Sequence, residues 1–212
     1  MIPIVDFPKI KSPFVRETIN GRYVVTPKIE EGYEWVFEDN AVRAVDKLHG
    51  TNVCVHFEGG IFKALDNRTT RIIHEPNISL TGSKTTFRMI QAVINAIEMK
   101  LLDDVDTASI YGEIIGPTWN GNIHRAEQPL FVPFDRLREK YHWHSWINNH
   151  YPKTFKAISE WFKELPSLFS DRKLKRKAVG EGIVFTHPDG RMAKLRRDMF
   201  DWYEGESHEL PD

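Results

Sequence analysis

The stretch Lys47-Leu48-His49-Gly50-Thr51-Asn52 joins two apolar runs, residues 42–48 and 53–57, each of which reads as a strand. Lys47 follows Val45 on the alternating face, where a buried apolar side chain is expected. Gly50 and the small polar residues after it suit a tight turn that lets a bulky ligand approach the backbone. A desolvated lysine beside other cations can lose its proton and act as a nucleophile. Taken alone, the six residues also read as an ordinary turn with an exposed lysine.

Working outward, short β-type runs also occupy residues 22–25, 35–37 and 61–65, and Glu58-Gly59-Gly60 marks a hairpin. Residues 84–102 set Phe87, Ile90, Ile94, Ile97 and Leu101 at helical spacing, which predicts an amphipathic helix with that face on a sheet. Strands resume at residues 108–115 and 130–134. A second helix is predicted over residues 152–165, with Phe155, Ile158, Phe162 and Leu165 on one face and Pro152 near its first turn. Residues 183–186 and 192–196 close the chain as a strand pair across His187-Pro188-Asp189-Gly190. The fold class is α+β, antiparallel sheets with packed helices.

The 212 residues read as a single domain over residues 1–200, with an acidic tail at residues 201–212. A chain that is 41% hydrophobic and 28% charged is ordinary for a folded protein, and this excludes disorder. The net charge of −1 carries no signal of a polyanionic partner. Five acids fall in residues 201–212, however, so the body is mildly basic, which fits a polyanionic ligand weakly. The single Cys54 excludes an internal disulfide and a cysteine-based zinc cluster. The chain has neither a signal-peptide start nor an apolar run near the roughly 20 residues of a membrane span, so a soluble, cytoplasmic protein without a membrane partner is expected.

Lys-x-His-Gly-Thr-Asn at residues 47–52 resembles motif I of the covalent nucleotidyltransferases, in the histidine form typical of the RNA ligase 2 family. Further segments resemble the family's motifs in order. Asn67-Arg68-Thr69 stands where a substrate-contacting arginine is placed. Tyr111-Gly112-Glu113-Ile114-Ile115-Gly116 is similar to motif III, whose glutamate holds the ribose. Phe131-Val132-Pro133-Phe134-Asp135 is similar to motif IIIa, which stacks an aromatic ring on adenine. Glu181-Gly182-Ile183-Val184 matches motif IV, and Lys194-Leu195-Arg196 stands where motif V sets two cations on the α-phosphate. Each motif is weak alone, and the specificity lies in the ordered set.

The resemblance implies an ATP-dependent RNA ligase with a nucleotidyltransferase (ATP-grasp-like) adenylation domain, using ATP with Mg²⁺ or Mn²⁺. Lys47 would carry AMP, with His49, Lys194 and Arg196 as catalytic companions. The implied nucleotide pocket comprises Asp46, Leu48, Gly50, Thr51, Asn52, Arg68, Glu113, Phe134, Glu181 and Lys194, with Glu181 and Glu113 available to a metal. The partner is RNA, at ends or nicks bearing a 5′-phosphate and a 3′-hydroxyl. Alternatives within this chemistry are a DNA ligase or a capping-type enzyme, and outside it a non-catalytic protein that binds nucleotide or RNA ends.

The chemistry is coherent without the family. Free lysine titrates near 10.4, and each unit of downward shift stabilises the neutral amine by about 1.4 kcal/mol. Lys194, Arg196 and a divalent cation would push Lys47 in that direction and neutralise charge on an attacked phosphate. A two-residue turn at Asp189-Gly190 would pair Phe185 with Lys194 and Ile183 with Arg196, bringing Glu181 onto their face. A three-residue loop, residues 188–190, would reverse that face; the convergent register is the expected one.

Three features depart from the family pattern. Arg196 replaces the usual second lysine of motif V and is not interchangeable with it. Phe131 and Phe134 could each be the stacking ring, with Phe134 favoured beside Asp135. No carboxy-terminal domain or oligonucleotide-binding barrel is expected, so either the catalytic domain grips RNA alone or a partner protein assists. Residues 172–177, with five cations, are a candidate backbone-tracking strip or a solvated loop. His142, His144 and His150 with Trp143 and Trp146 read as packed or surface residues in preference to metal ligands.

Overall fold

The computed structural model describes residues 2–74, 83–103, 105–143 and 151–205. In chain order its elements are β1 (Phe14–Ile19), β2 (Arg22–Ile29), α1 (Trp35–Glu38), β3 (Arg43–Lys47), β4 (Thr51–Glu58), β5 (Ile61–Asn67), β6 (Thr70–His74), α2 (Lys84–Glu98), β7 (Ala108–Ile115), β8 (Leu130–Pro133), α3 (Phe134–Lys140), β9 (His142–Trp143), α4 (Phe155–Lys163), β10 (Gly182–Thr186) and β11 (Met192–Arg196). All strand pairs are antiparallel, as the α+β reading expected. The chain divides into two compact units, and the first division within the motif I stretch falls between Lys47 and Leu48.

The unit of Met1–Pro8, Leu48–Lys140 and Leu174–Arg176 is built on a five-stranded sheet in the order β6-β5-β4-β7-β8. Gly59 and Gly60 take φ of 57° and 74°, and Glu58 pairs with Ile61, so the expected hairpin forms, with the glycine pair as its two-residue turn. Strand alternation sends Val53, Val55, Leu65, Ile114 and Phe131 to one solvent-free face. Asn52, Cys54, His56, Asp66, Tyr111 and Glu113 go to the other.

α2 forms where expected but packs by a different face. Met89, Ala92, Val93 and Ala96 are buried, whereas Phe87, Ile94 and Ile97 are exposed. Ala92 and Ala96, one turn apart, let the helix approach β8 closely, and Asn95 donates to Pro129 O at 2.7 Å. The helix ends before residue 102 because Lys100 turns left-handed (φ 54°), with Leu101 N donating to Ala96 O and Lys100 N to Ile97 O.

The unit of Lys9–Lys47, Tyr141–Lys173 and Lys177–Asp212 holds a four-stranded sheet, β11-β10-β3-β9, and the hairpin β1-β2. Residues 35–37, expected as a strand, form the single helical turn α1. Trp35, Val36 and Phe37 are all buried, and a strand would have sent the middle one to the opposite face. α4 is shorter than the expected helix, starting at the Thr154 cap after Pro152 and ending before Leu165, but the expected stripe is buried: Ile158, Phe162 and Leu165 are fully buried, and Phe155 meets Phe14 edge to face. His142 and Trp143 are buried on β9, while His144, Trp146, His150 and the tail from residue 206 lie outside the described residues.

The register of β10 on β11 differs from the expected one. Val184 pairs with Lys194 and Gly182 with Arg196, around a loop of residues 188–190. A two-residue turn needs an N–H from the residue before it to close the ladder, and Pro188 has none. His187 supplies that N–H instead, bonding Arg191 O at 3.0 Å, and only Gly190 (φ 95°) turns left-handed.

Candidate active site

In the second unit, Lys47 pairs across to Gly182 on β10, and Gly182 to Arg196 on β11; the next row is Val45, Val184 and Lys194. Lys47, Lys194 and Arg196 therefore share one face of the sheet. A Cβ on Gly182 would come within 2.1 Å of Leu195 O, so only glycine fits between the lysine and the arginine. Glu181 stands just before β10, outside its alternation, with its carbonyl held by Arg197 N at 2.9 Å. Its carboxylate reaches the cationic face despite the shifted register. Glu181 Oε2 lies 2.6 Å from Lys47 Nζ, and Oε1 lies 4.0 Å from Arg196 Nη1. Arg196 is itself nearly buried, with Nε 3.0 Å from Asp198 Oδ1.

Asp46, expected in the nucleotide pocket, shares the core face with Ile183 and Leu195, opposite Lys47. Oδ2 accepts from Ser167 Oγ at 2.9 Å and from Phe169 N at 2.8 Å. Burial pushes its carboxyl up to about 7, against the opposing pull of these hydrogen bonds. Because the folded value exceeds the unfolded one, near 3.9, the stability linked to this proton is present at low pH and lost as pH rises through about 7. Asp46→Asn keeps the acceptor and removes the charge. It is expected to flatten this decline and to raise Tm at pH 8 by roughly 2–4 °C or more. Thermal melts from pH 4 to 8 provide the check, and parallel pH profiles for the two proteins would contradict it.

In the first unit, the turn after Leu48 is held from three sides. His49 N donates to His124 Nε2 at 2.8 Å, Gly50 N to Glu113 Oε1 at 3.0 Å, and Asn120 Nδ2 to Gly50 O at 2.6 Å. A Cβ on Gly50 would lie 2.0 Å from Ile114 O, which explains the glycine of the motif. Asn52 is directly opposite Glu113 on the same face, whereas Thr51, opposite Ile114, faces the other way. The Leu48 side chain is buried, so its contribution to a pocket is limited to its main chain.

Arg68 sits at the tip of the β5–β6 hairpin with φ 53°, largely exposed, its guanidinium 3.3 Å from Asp6. Phe131 is fully buried on the apolar face, while Phe134 is half-buried with the Phe7 ring 4.9 Å away. Of the two rings, Phe134 is the one a ligand can reach. It lines a cavity of about 520 Å³ with Phe7, Tyr111 and Arg138 at the Ala108 end of β7. Glu113 is not among the residues lining that cavity, so the cavity does not mark the motif I turn. In the basic run, Arg172, Lys175, Arg176 and Lys177 are exposed and Arg176 pairs with Glu127.

Sequence reasoning missed His124, Asn120, Phe7 and Asp198. Asn120-Gly121-Asn122 carries a turn signal, but nothing local says which main chain the turn will meet. Among the described residues no group of three or more His, Cys, Asp or Glu is arranged to hold a metal. Mg²⁺ commonly binds through one or two carboxylates together with substrate phosphates, and Glu181 and Glu113 each fit that mode of binding.

The model of the RNA ligase family matches residues 41–200, from the strand that carries Lys47 through the one that carries Arg196. The chain belongs to the RNA ligase family. Two solved structures of Naegleria gruberi RNA ligase mutants are similar in fold. One, with ATP and Mn, has 14% identity and a TM-score of 0.46, covering 88% of this chain and 59% of that one. The other, with AMP and Mn, has 15% identity and a TM-score of 0.45, covering 92% and 61%. This chain thus spans about three fifths of the length of those proteins. No curated protein matches it. No helix among the described residues is long and apolar enough to cross a membrane.

Proposed function

We propose that this member of the RNA ligase family is an ATP-dependent RNA ligase that works through a lysyl-AMP on Lys47. The observation that carries the reading is the Lys47–Glu181–Arg196 cluster, an amine, a carboxylate and a guanidinium on one sheet face. Nζ must be neutral to attack, and Glu181 Oε2 at 2.6 Å is within reach to take its proton. The Nζ–phosphorus bond forms as the α–β phosphoanhydride breaks and pyrophosphate leaves. Arg196 and Lys194, on the same face, stabilise the negative charge on the phosphate.

The AMP then passes to an oxygen of a 5′-phosphate, breaking the Nζ–phosphorus bond and freeing Lys47. A 3′-hydroxyl attacks that 5′-phosphate, AMP departs, and the strand is sealed. Glu113 and Asn52 are assigned to the nucleoside sugar, Phe134 to the base and Arg68 to the adenylate or the end being joined. A divalent cation, Mg²⁺ or Mn²⁺, held through Glu181 or Glu113 and the phosphates, would supply further charge neutralisation.

Intact mass after incubation with ATP and Mg²⁺ or Mn²⁺ tests the proposal. The expected result is a gain of one AMP, absent in Lys47→Ala and discharged by a 5′-phosphorylated nick in RNA. No gain in a folded protein under either metal would overturn the reading. Discharge by nicked DNA alone would move it to the DNA ligase alternative.

A further inference from the structure

We infer that His124 is a positioning residue for the nucleophile turn, fixing through its Nε2 the main chain two residues after Lys47. The inference rests on the ligase reading for its catalytic meaning, but the clamp itself is a matter of hydrogen bonding.

A backbone N–H can only donate, so the 2.8 Å contact from His49 N requires a lone pair on His124 Nε2 and places the ring proton on Nδ1. The ring is 1% exposed, so water cannot readily replace it as acceptor. Next along the turn, Asn120 Nδ2 donates to Gly50 O at 2.6 Å. Both side chains come from one short segment built to hold an unusual shape. Asn120, Gly121, Asn122 and Arg125 all have φ between 44° and 67°. Asn122 staples the segment, donating through Nδ2 to Ala126 O at 2.9 Å and accepting from Ala126 N at 3.0 Å.

Left-handed non-glycine residues are costly, and their clustering here is matched by the contacts the segment makes to the turn. The opposite side of the same turn is held by Glu113 through Gly50 N. Two consecutive residues, His49 and Gly50, are thus fixed by three side chains, which leaves the main chain just after Lys47 little freedom to swing. Near-attack geometry is lost with displacements of about 1 Å, enough to cost on the order of 100-fold in rate.

The test compares His124→Phe, which fills the space without an acceptor, with His124→Gln, whose Oε1 can accept. In each, lysyl-AMP formation is followed against ATP concentration, and amide hydrogen exchange is measured at His49. The expected result for His124→Phe is a kcat for adenylation about 10- to 100-fold lower, with KM for ATP changed by less than about threefold. Exchange at His49 accelerates in the same variant, and His124→Gln recovers most of both. Two variants equally slow, or a His49 amide as protected in His124→Phe as in the unaltered protein, would overturn the inference. The exchange measurement reads the clamp even if the protein forms no lysyl-AMP, so failure of the ligase reading is separable from failure of this one.

Discussion

Glu181→Gln is expected to slow Lys47 adenylation by about 100- to 1,000-fold, close to the effect of Glu181→Ala. The amide keeps the volume of the carboxylate and an acceptor for the ammonium, but it cannot take a proton. Glu181 Oε2 at 2.6 Å from Nζ is well placed for that transfer, and its side chain is only 9% exposed, which limits competition from water. The variant should therefore recover partly as pH rises, because solvent then removes the proton that Glu181 no longer accepts. Single-turnover adenylation from pH 7 to 10, followed by the mass of the AMP adduct, measures this. A glutamine variant near full activity at pH 7 would assign Glu181 to orientation alone. Equal defects in both variants without recovery at high pH would point to loss of phosphate-site charge balance around Arg196.

Asp66→Ala is expected to be the most damaging change to stability. Asp66 is 1% exposed and binds Arg71 twice, through Nε at 2.7 Å and Nη2 at 3.0 Å. Its Oδ2 also meets His56 Nε2 at 2.8 Å, and His56 Nδ1 meets Ser109 Oγ at 2.8 Å. Removing one carboxylate takes the counter-charge from a nearly buried guanidinium, which keeps its bond to Ile2 O, and leaves the imidazole short of a partner. Breaking such a buried pair costs roughly 3–5 kcal/mol, or about 6–20 °C in Tm for a chain of this size.

Burial works against ionisation of Asp66, but the hydrogen bonds from Arg71 and His56 prevail and hold its carboxyl below the usual range. For a depressed carboxyl, the stability contribution is present above the unfolded value and lost as pH falls through the folded one. The gap between Asp66→Ala and the unaltered protein should accordingly narrow below about pH 4. Thermal or urea melts at pH 7 and pH 3 check both parts. A change in Tm under 2 °C at pH 7 would mean that water repairs the gap.

Elements whose signal is local were legible in the sequence. Gly59-Gly60 supplies the two left-handed residues a short hairpin needs, and Ile158 and Phe162 of α4, with Leu165 just after it, mark a buried stripe. Gly50 reads as part of a tight turn, and its would-be Cβ, 2.0 Å from Ile114 O, leaves no room for a side chain there. Other features depended on partners distant in sequence. The larger apolar residues of α2 pointed to the face of Phe87, Ile94 and Ile97, but close approach to β8 selected the smaller face of Ala92 and Ala96. Asp46 sits beside Lys47 in sequence and on the opposite face in space, because the strand alternates.

The register of the last hairpin lies between these cases. Asp189-Gly190 alone suggests a two-residue turn, and Pro188, one residue earlier, removes the N–H that such a turn requires. The convergence of Glu181 with Lys47 and Arg196 survives this shift, at the position just before β10.

By itself the sequence determined which side chains are available to the proposed chemistry: one lysine in a glycine turn, followed in order by carboxylates and cations. It also determined the α+β class, since hydrophobic period and turn residues are properties of neighbours along the chain. Tertiary structure alone decided which side chains hold that turn. His124 is 75 positions from His49 and Glu181 is 134 from Lys47. A hydrogen bond of 2.6–2.8 Å carries no trace in local sequence until folding brings its two ends together.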